Sequence, residues 1–491
     1  MAKREAWNKF VEQIKDESFE RKGRYIPKEM VTEQYKNAGV FFGKKKFKKT
    51  LDNVYIGKSI GSDGNVLVVG GAGSGKSSCI AMPTLETWGG GIFAIDIKGE
   101  LTEYWKKIST HDRFAKRPIK IINLTNEDRV INSYDPFYFL KQDGDDNLVQ
   151  NAREIAQAIV PLSQNVPEPF WIQSAQNILT AALLHGYRIG SSFNETITRV
   201  VTIPIWELAK EIYAGKDVVA KMLVVQFASL DKPADNRMLT GISAELNSKI
   251  SVLATDIRIK GTFAPSKNSV KWEDLETHNV FLRISEDMLG QWGGAIAMML
   301  TQLIRSLERR RDKIHTTDGT SIILSAKGEQ ISQTLLLLDE FPRLGKVDVI
   351  ENAVSTLRSK GVTICLLMQS ITQLDRIYGS DARKIIIDNC QYKVILRVTD
   401  PENQKFFSDM IGSISVSGTS VSQSIGASES KEKGEKKTKG ESRSVSLSYS
   451  ETREPIIYPH ELATLEDVLL VTPEGFCRVD KMPYYADKSE N

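Results

Sequence analysis

Short apolar runs and stretches of helical spacing alternate along the chain. Asn65–Gly70 (NVLVVG), Gly91–Asp96 (GIFAID) and Ile119–Leu124 (IKIINL) are continuous apolar runs of strand length. Such runs suit parallel strands buried on both faces. Beyond residue 141 the period changes. Ile205, Leu208, Ala209 and Ile212, then Leu239, Ile242, Leu246, Ile250 and Leu253, recur at helical intervals. Phe170–Tyr187 reads as a mostly buried helix entered after Pro167 and Pro169. Strand runs return at Asn279–Ile284, Thr334–Glu340, Val362–Gln369, Tyr392–Val398 and Val468–Thr472. The pattern predicts an α/β domain in two parts, residues 53–140 and 271–491, around an all-helical insertion at 141–270. Within the second part, residues 412–450 are rich in Ser, Lys, Glu and Gly with almost no large apolar side chain. Such a segment buries too little surface to offset its ordering entropy, so a mobile loop or long flexible hairpin is expected there.

Residues 1–52 form a separate N-terminal arm in this reading. Trp7, Phe10, Val11 and Ile14 mark one helical face, and Phe41, Phe42, Lys44, Lys45, Lys46, Lys48 and Lys49 form an aromatic and basic cluster. One reading is a helix packed on the core followed by a solvated loop. The other is a docking element for a membrane subunit, anionic lipid or nucleic acid.

Composition sharpens this division. Hydrophobic residues at 41% and charged residues at 26% exclude a wholly disordered chain. The net charge is +3, but residues 1–50 hold 14 basic against 7 acidic side chains, so the excess is local to that arm. The four cysteines lack any CxxC spacing and the five histidines are scattered, so reduced thiols and no zinc site are expected. No apolar leader and no run of eighteen apolar residues is found, so neither signal peptide nor membrane span is expected.

Gly70–Ser77 (GGAGSGKS) satisfies the phosphate-loop pattern after a predicted strand and before a predicted helix. Gly70, Gly71, Gly73 and Gly75, with Ala72, Ser74 and Ser78, let backbone N–H groups curl around phosphates. Lys76 reaches the β- and γ-phosphates, and Ser77 ligates Mg²⁺. Four leucines then deliver Asp339 and Glu340 to the carboxyl end of a strand. There Asp339 would hold Mg²⁺ and Glu340 would polarise the attacking water. Gln369 ends another strand and is placed to sense the γ-phosphate. Arg358 could reach a neighbouring subunit's nucleotide as an arginine finger, or be a surface helix residue. Asp96 could support the metal from an adjacent strand or serve a local turn, and Lys98 could contact nucleotide or partner. ATP and Mg²⁺ are the cofactors these residues call for.

The ordered set GGAGSGKSS, AIDIKGEL, SYDPF, PFW, LDEFPRLGK, LRSKG, MQSITQLDRIYG and REPIIYPHEL resembles the type IV coupling proteins, the VirD4/TraG/TraD family of conjugation and type IV secretion. The resemblance implies a RecA-like P-loop nucleotide-binding domain with an inserted all-α domain. It implies a homohexamer with ATP hydrolysis at subunit interfaces. It places Lys76, Ser77, Asp339, Glu340, Gln369 and Arg358 on the family's functional positions, with Arg358 as the trans finger. The function it implies is driving conjugative DNA, with attached relaxase, into a type IV secretion channel. The alternatives are an ATP-dependent receptor for protein effectors, or a double-stranded DNA pump of the FtsK/HerA type, against which the helical insertion argues. Family members typically begin with two membrane-spanning helices. Their absence here leaves two readings, a truncated sequence or a naturally soluble branch; the expectation is a cytoplasmic protein, peripheral at the inner face of the membrane, docked to the secretion machinery by a separate membrane subunit bound at residues 1–50.

Overall fold

The computed structural model describes residues 31–32, 39–46, 53–59, 62–110, 117–125, 132–141, 144, 146–162, 168–230, 237–316, 321–430 and 438–486. The helix expected at Trp7–Ile14, with Lys48 and Lys49, lies outside these residues.

The first strands are β1 (Val31–Thr32), β2 (Val40–Lys46) and β3 (Asn53–Lys58), which form a small antiparallel sheet in the order β1-β3-β2. Phe41 and Phe42 are fully buried. Val40 and Phe42 belong to the same core cluster as Val66, Val68 and Leu367. Lys44 exchanges backbone hydrogen bonds with Asp480 at 3.0 and 2.8 Å. Residues 40–46 of the expected basic arm are therefore a strand and not a solvated loop, and their aromatic pair is drawn into the core.

The main sheet is built from β4 (Val66–Val69), β5 (Gly91–Asp96), β6 (Ile119–Leu124) and β7 (Asn279–Ile284). After a small sheet of β8 (Arg311–His315), β9 (Ser321–Leu324) and β10 (Gln330–Ile331), it resumes with β11 (Thr334–Leu338), β12 (Val362–Met368) and β13 (Tyr392–Ile395). A hairpin follows, β14 (Ser413–Ser430) and β15 (Thr438–Pro455). The last strands, β16 (Val468–Thr472) and β17 (Gly475–Val479), close the main sheet as an antiparallel edge. Its nine strands run β17-β16-β13-β4-β12-β11-β5-β7-β6, parallel from β13 to β6. Side chains along β4, β5, β7, β11 and β12 are buried throughout, as continuous apolar runs require.

The asparagines at the head of two strand runs pin this parallel register. Asn65 Oδ1 accepts from Ile364 N at 3.0 Å, and its Nδ2 donates to Val354 O at 2.6 Å and Asn389 O at 3.2 Å. Asn279 Oδ1 accepts from Ile92 N at 3.0 Å. Each supplies a neighbouring strand with a bond where the ladder is just beginning.

Between β6 and β7 the chain is helical, with Leu148–Ile159, Phe170–Arg188, Phe193–Thr202, Ile205–Ala214, Val218–Ala228, Arg237–Thr255 and Ile257–Thr262. Its two ends are stitched together. Tyr134 N donates to Thr262 O and Val270 N to Ser133 O, both at 2.7 Å. Buried Tyr134 sits among Phe139, Phe263 and Trp272, with its hydroxyl on Gln302. The SYDPF motif is thus the seam where the insertion leaves and rejoins the core.

Thr399–Leu465 forms a compact unit of its own. It comprises helix Pro401–Ile411, the β14–β15 hairpin and the short helix Pro459–Thr464, tied by Ser408 Oγ donating to Ile457 O at 2.6 Å. The Ser/Lys-rich segment therefore takes the hairpin form of the two expected.

Removing the Asn65 side chain should leave buried backbone groups of Ile364, Val354 and Asn389 unpaired. Asn65→Ala is expected to cost about 2–4 kcal/mol in urea unfolding of the full chain. A loss below about 0.5 kcal/mol would contradict the pinning role.

Candidate nucleotide-binding site

The phosphate loop leaves β4, Gln369 leaves β12, the acidic pair leaves β11 and Asp96 ends β5. These strands are consecutive neighbours, so their carboxyl ends deliver all four groups to one edge of the sheet. Gly70 N donates to Met368 O at 3.2 Å and Gly71 N to Arg397 O at 2.8 Å, which anchors the loop to β12 and to the segment after β13. A Cβ on Gly70 would lie 2.4 Å from Ser74 Oγ and 2.8 Å from Leu396 Cβ. Gly75 has φ 103°, which favours glycine as the chain turns into the helical segment Lys76–Ala81 and its continuation Met82–Thr87.

Lys76 Nζ donates to Gly70 O at 2.8 Å and lies 3.6 Å from Glu340 Oε1. Gln369 Nε2 donates to the same Glu340 oxygen at 3.1 Å. Lys76 from the loop side and Gln369 from the intervening strand thus converge on one Glu340 oxygen. Glu340 adopts φ 46°, the one non-glycine residue with positive φ among the described residues. Its N–H is held by Asp339 Oδ1 at 3.0 Å. Strain of this kind is held by surrounding structure, and here it turns the carboxylate towards Lys76. Glu340 Oε2 and Ser74 Oγ are buried with no hydrogen-bond partner. Burial lowers the Lys76 ammonium below its usual range, opposed by the charges of Glu340 and Asp339. Burial, then repulsion from Glu340, pushes Asp339 up to about 6.

Asp96 is buried and accepts from Thr102 N at 2.8 Å and Thr102 Oγ1 at 2.6 Å. It fixes the start of helix Glu100–Ile108, and its charge also acts on Asp339. Lys98 lines the cleft. Arg358 does not join this group. It is exposed in the short helix Leu357–Lys360, just before β12, at the amino end of the sheet. The seven residues of β12 separate it from Gln369 by about 23 Å.

The loop, acidic pair and Gln369 line a cleft of about 640 Å³. Its other walls include Tyr104, Tyr484, Tyr485 and the Arg343–Glu286 ion pair, which the sequence reading missed. Arg343 lies three residues beyond Glu340 inside LDEFPRLGK, and that proximity was its only signal.

The family described as type IV secretory system conjugative DNA transfer matches residues 8–490. The chain belongs to that family. It is 22% identical over 466 residues to Protein VirD4 of Rhizobium radiobacter, covering 90% of this chain and 60% of the relative. It is 23% identical over 402 residues to the conjugal transfer protein TraG of Agrobacterium fabrum, covering 81% and 56%. The chain thus spans about three fifths of the length of these relatives. Among solved structures it is similar to the bacterial conjugative coupling protein TrwBdeltaN70, with TM-score 0.60, 17% identity and coverage of 85% and 84%. That likeness is one of fold, a RecA-like P-loop domain with an inserted all-α domain.

The unfolded chain releases the Asp339 proton near pH 4, whereas the folded chain holds it to about 6. Ionising Asp339 therefore costs stability progressively across that window, and the full cost is present above it. Asp339→Asn should stabilise the nucleotide-free protein at pH 8 by on the order of 2 kcal/mol, with the gain vanishing below about pH 4. Denaturation midpoints measured across pH check this; a gain independent of pH would contradict it.

Proposed function

We propose that this chain is an ATP-hydrolysing coupling protein that recruits conjugative DNA, with its attached relaxase, and drives it into a type IV secretion channel. The convergence of Lys76, Glu340 and Gln369 at adjacent strand ends carries the reading. Family membership and the names of its relatives support it. TrwB has been solved with the ATP analogue ADPNP and with ADP and Mg²⁺.

The residues fit a nucleotide triphosphate. Lys76 spends its ammonium on a backbone carbonyl and a carboxylate that phosphate oxygens could replace. Ser74 Oγ is a buried donor without an acceptor. Ser77 and Asp339 would hold Mg²⁺, which neutralises phosphate charge when bound. The loop's N–H groups bind the phosphates, and Lys76 counters charge building on the transferred group. Glu340 accepts the proton of the attacking water, and Gln369 holds that carboxylate and orients the water.

Arg358 acts from a neighbouring subunit in a homohexameric ring. Its exposure and its distance from its own chain's cleft favour a role in trans over one in cis. In the cell the ring sits at the inner face of the membrane, docked to the secretion machinery through a separate membrane subunit bound at residues 1–50. Among the described residues no helix is long and apolar enough to cross a membrane.

Lys76→Ala should abolish ATP turnover, and Glu340→Gln should bind ATP while lowering turnover at least a hundredfold. Single-stranded DNA should stimulate the wild type strongly. No stimulation would favour an effector receptor over a DNA translocase. In mixed assemblies Arg358→Ala and Glu340→Gln subunits should together restore some turnover, because one class of interface is then wild type. No rescue with mixed assembly demonstrated would remove Arg358 from the site.

A further inference from the structure

Three tyrosines form a ladder of rings along the cleft wall. Tyr104, on helix Glu100–Ile108, is buried and its hydroxyl is tied to Glu86. Tyr484 meets it edge-on at 4.7 Å between ring centroids, and Tyr485 meets Tyr484 at 5.2 Å with the planes 81° apart. The segment carrying the last two is fixed to the phosphate-loop helix itself, since Tyr484 N donates to Ser78 O at 2.9 Å. Ser78 lies two residues beyond Lys76, so the rings are positioned from the same backbone that would hold the phosphates. Tyr485 lines the cleft yet is 72% exposed, the second most exposed large apolar or aromatic side chain among the described residues. An exposed aromatic ring at the rim of a polar cleft, packed on one side against Tyr484, can stack on a second aromatic ring.

We propose that Tyr485, backed by Tyr484 and Tyr104, is the nucleobase subsite of this cleft. The inference rests on the nucleotide reading above and adds where the base binds. The phosphate loop holds the charged end of the nucleotide and the tyrosine ladder holds its aromatic end. The subsite works by stacking, which every base can satisfy, so it contributes affinity without strong choice between adenine and guanine.

Calorimetric titration of the full chain with ATP, GTP and inorganic tripolyphosphate tests this. Tyr485 is too exposed for its replacement to threaten folding. Tyr485→Ala should weaken ATP and GTP about tenfold and leave tripolyphosphate unchanged. Tyr485→Phe should bind all three like the wild type. Unchanged ATP affinity in Tyr485→Ala, or equal losses for ATP and tripolyphosphate, would overturn the subsite while leaving the phosphate site standing. A wild-type chain that binds neither ATP nor tripolyphosphate would overturn both readings.

Discussion

The parallel register that brings the Lys76 ammonium to the Glu340 carboxylate is the constraint on which the rest of this molecule depends. Their contact spans a buried edge where neither charge has free access to water. Such a pair is held only where geometry is set independently of it, because desolvation offsets most of its Coulombic gain. Here the geometry comes from three adjacent parallel strands. β4 brings the lysine, β11 brings the glutamate, and β12 between them ends in the glutamine that donates to that glutamate. A slip of one residue in any of these strands would turn its end group to the other face.

Much of the remaining structure protects that register. Asn65 and Asn279 fasten the amino ends of the strands, far from the site, so the carboxyl ends arrive aligned. The helical insertion enters between β6 and β7, on the side of the sheet away from β4 and β12. Its two ends are joined by Tyr134 N on Thr262 O and Val270 N on Ser133 O. The left-handed backbone at Glu340 is the local strain this arrangement tolerates in order to aim one carboxylate.

The parts legible in the sequence were those whose physics is local. GGAGSGKS and LLLLDE show their strand, turn and charged tip within a few residues, and the buried runs announce parallel strands. The helical spacing marked the insertion close to its observed helices. The parts that were not legible depend on partners remote in the chain. Phe41 and Phe42 looked like the edge of a basic arm because they pack on residues outside it, Phe41 with Tyr55 and Met482 and Phe42 in the cluster of Val66 and Leu367. Tyr484 and Tyr485 carry no local signal, because the wall they complete is formed about four hundred residues earlier, at Ser78 and Tyr104. Asp96 was ambiguous because its bonds to Thr102 and its charge beside Asp339 are both made only in the folded chain. Arg358 lies at the other end of β12 from Gln369, so nothing in its own chain brings it near the cleft.

The most direct test of the account is a high-resolution structure of the full chain with a non-hydrolysable ATP analogue and Mg²⁺. The account predicts that Lys76 Nζ exchanges Gly70 O and Glu340 for phosphate oxygens. It also predicts that Glu340, still held by Gln369, takes an ordered water on the oxygen that now has no partner. Nucleotide bound while Lys76 keeps its contacts to Gly70 and Glu340 would contradict it.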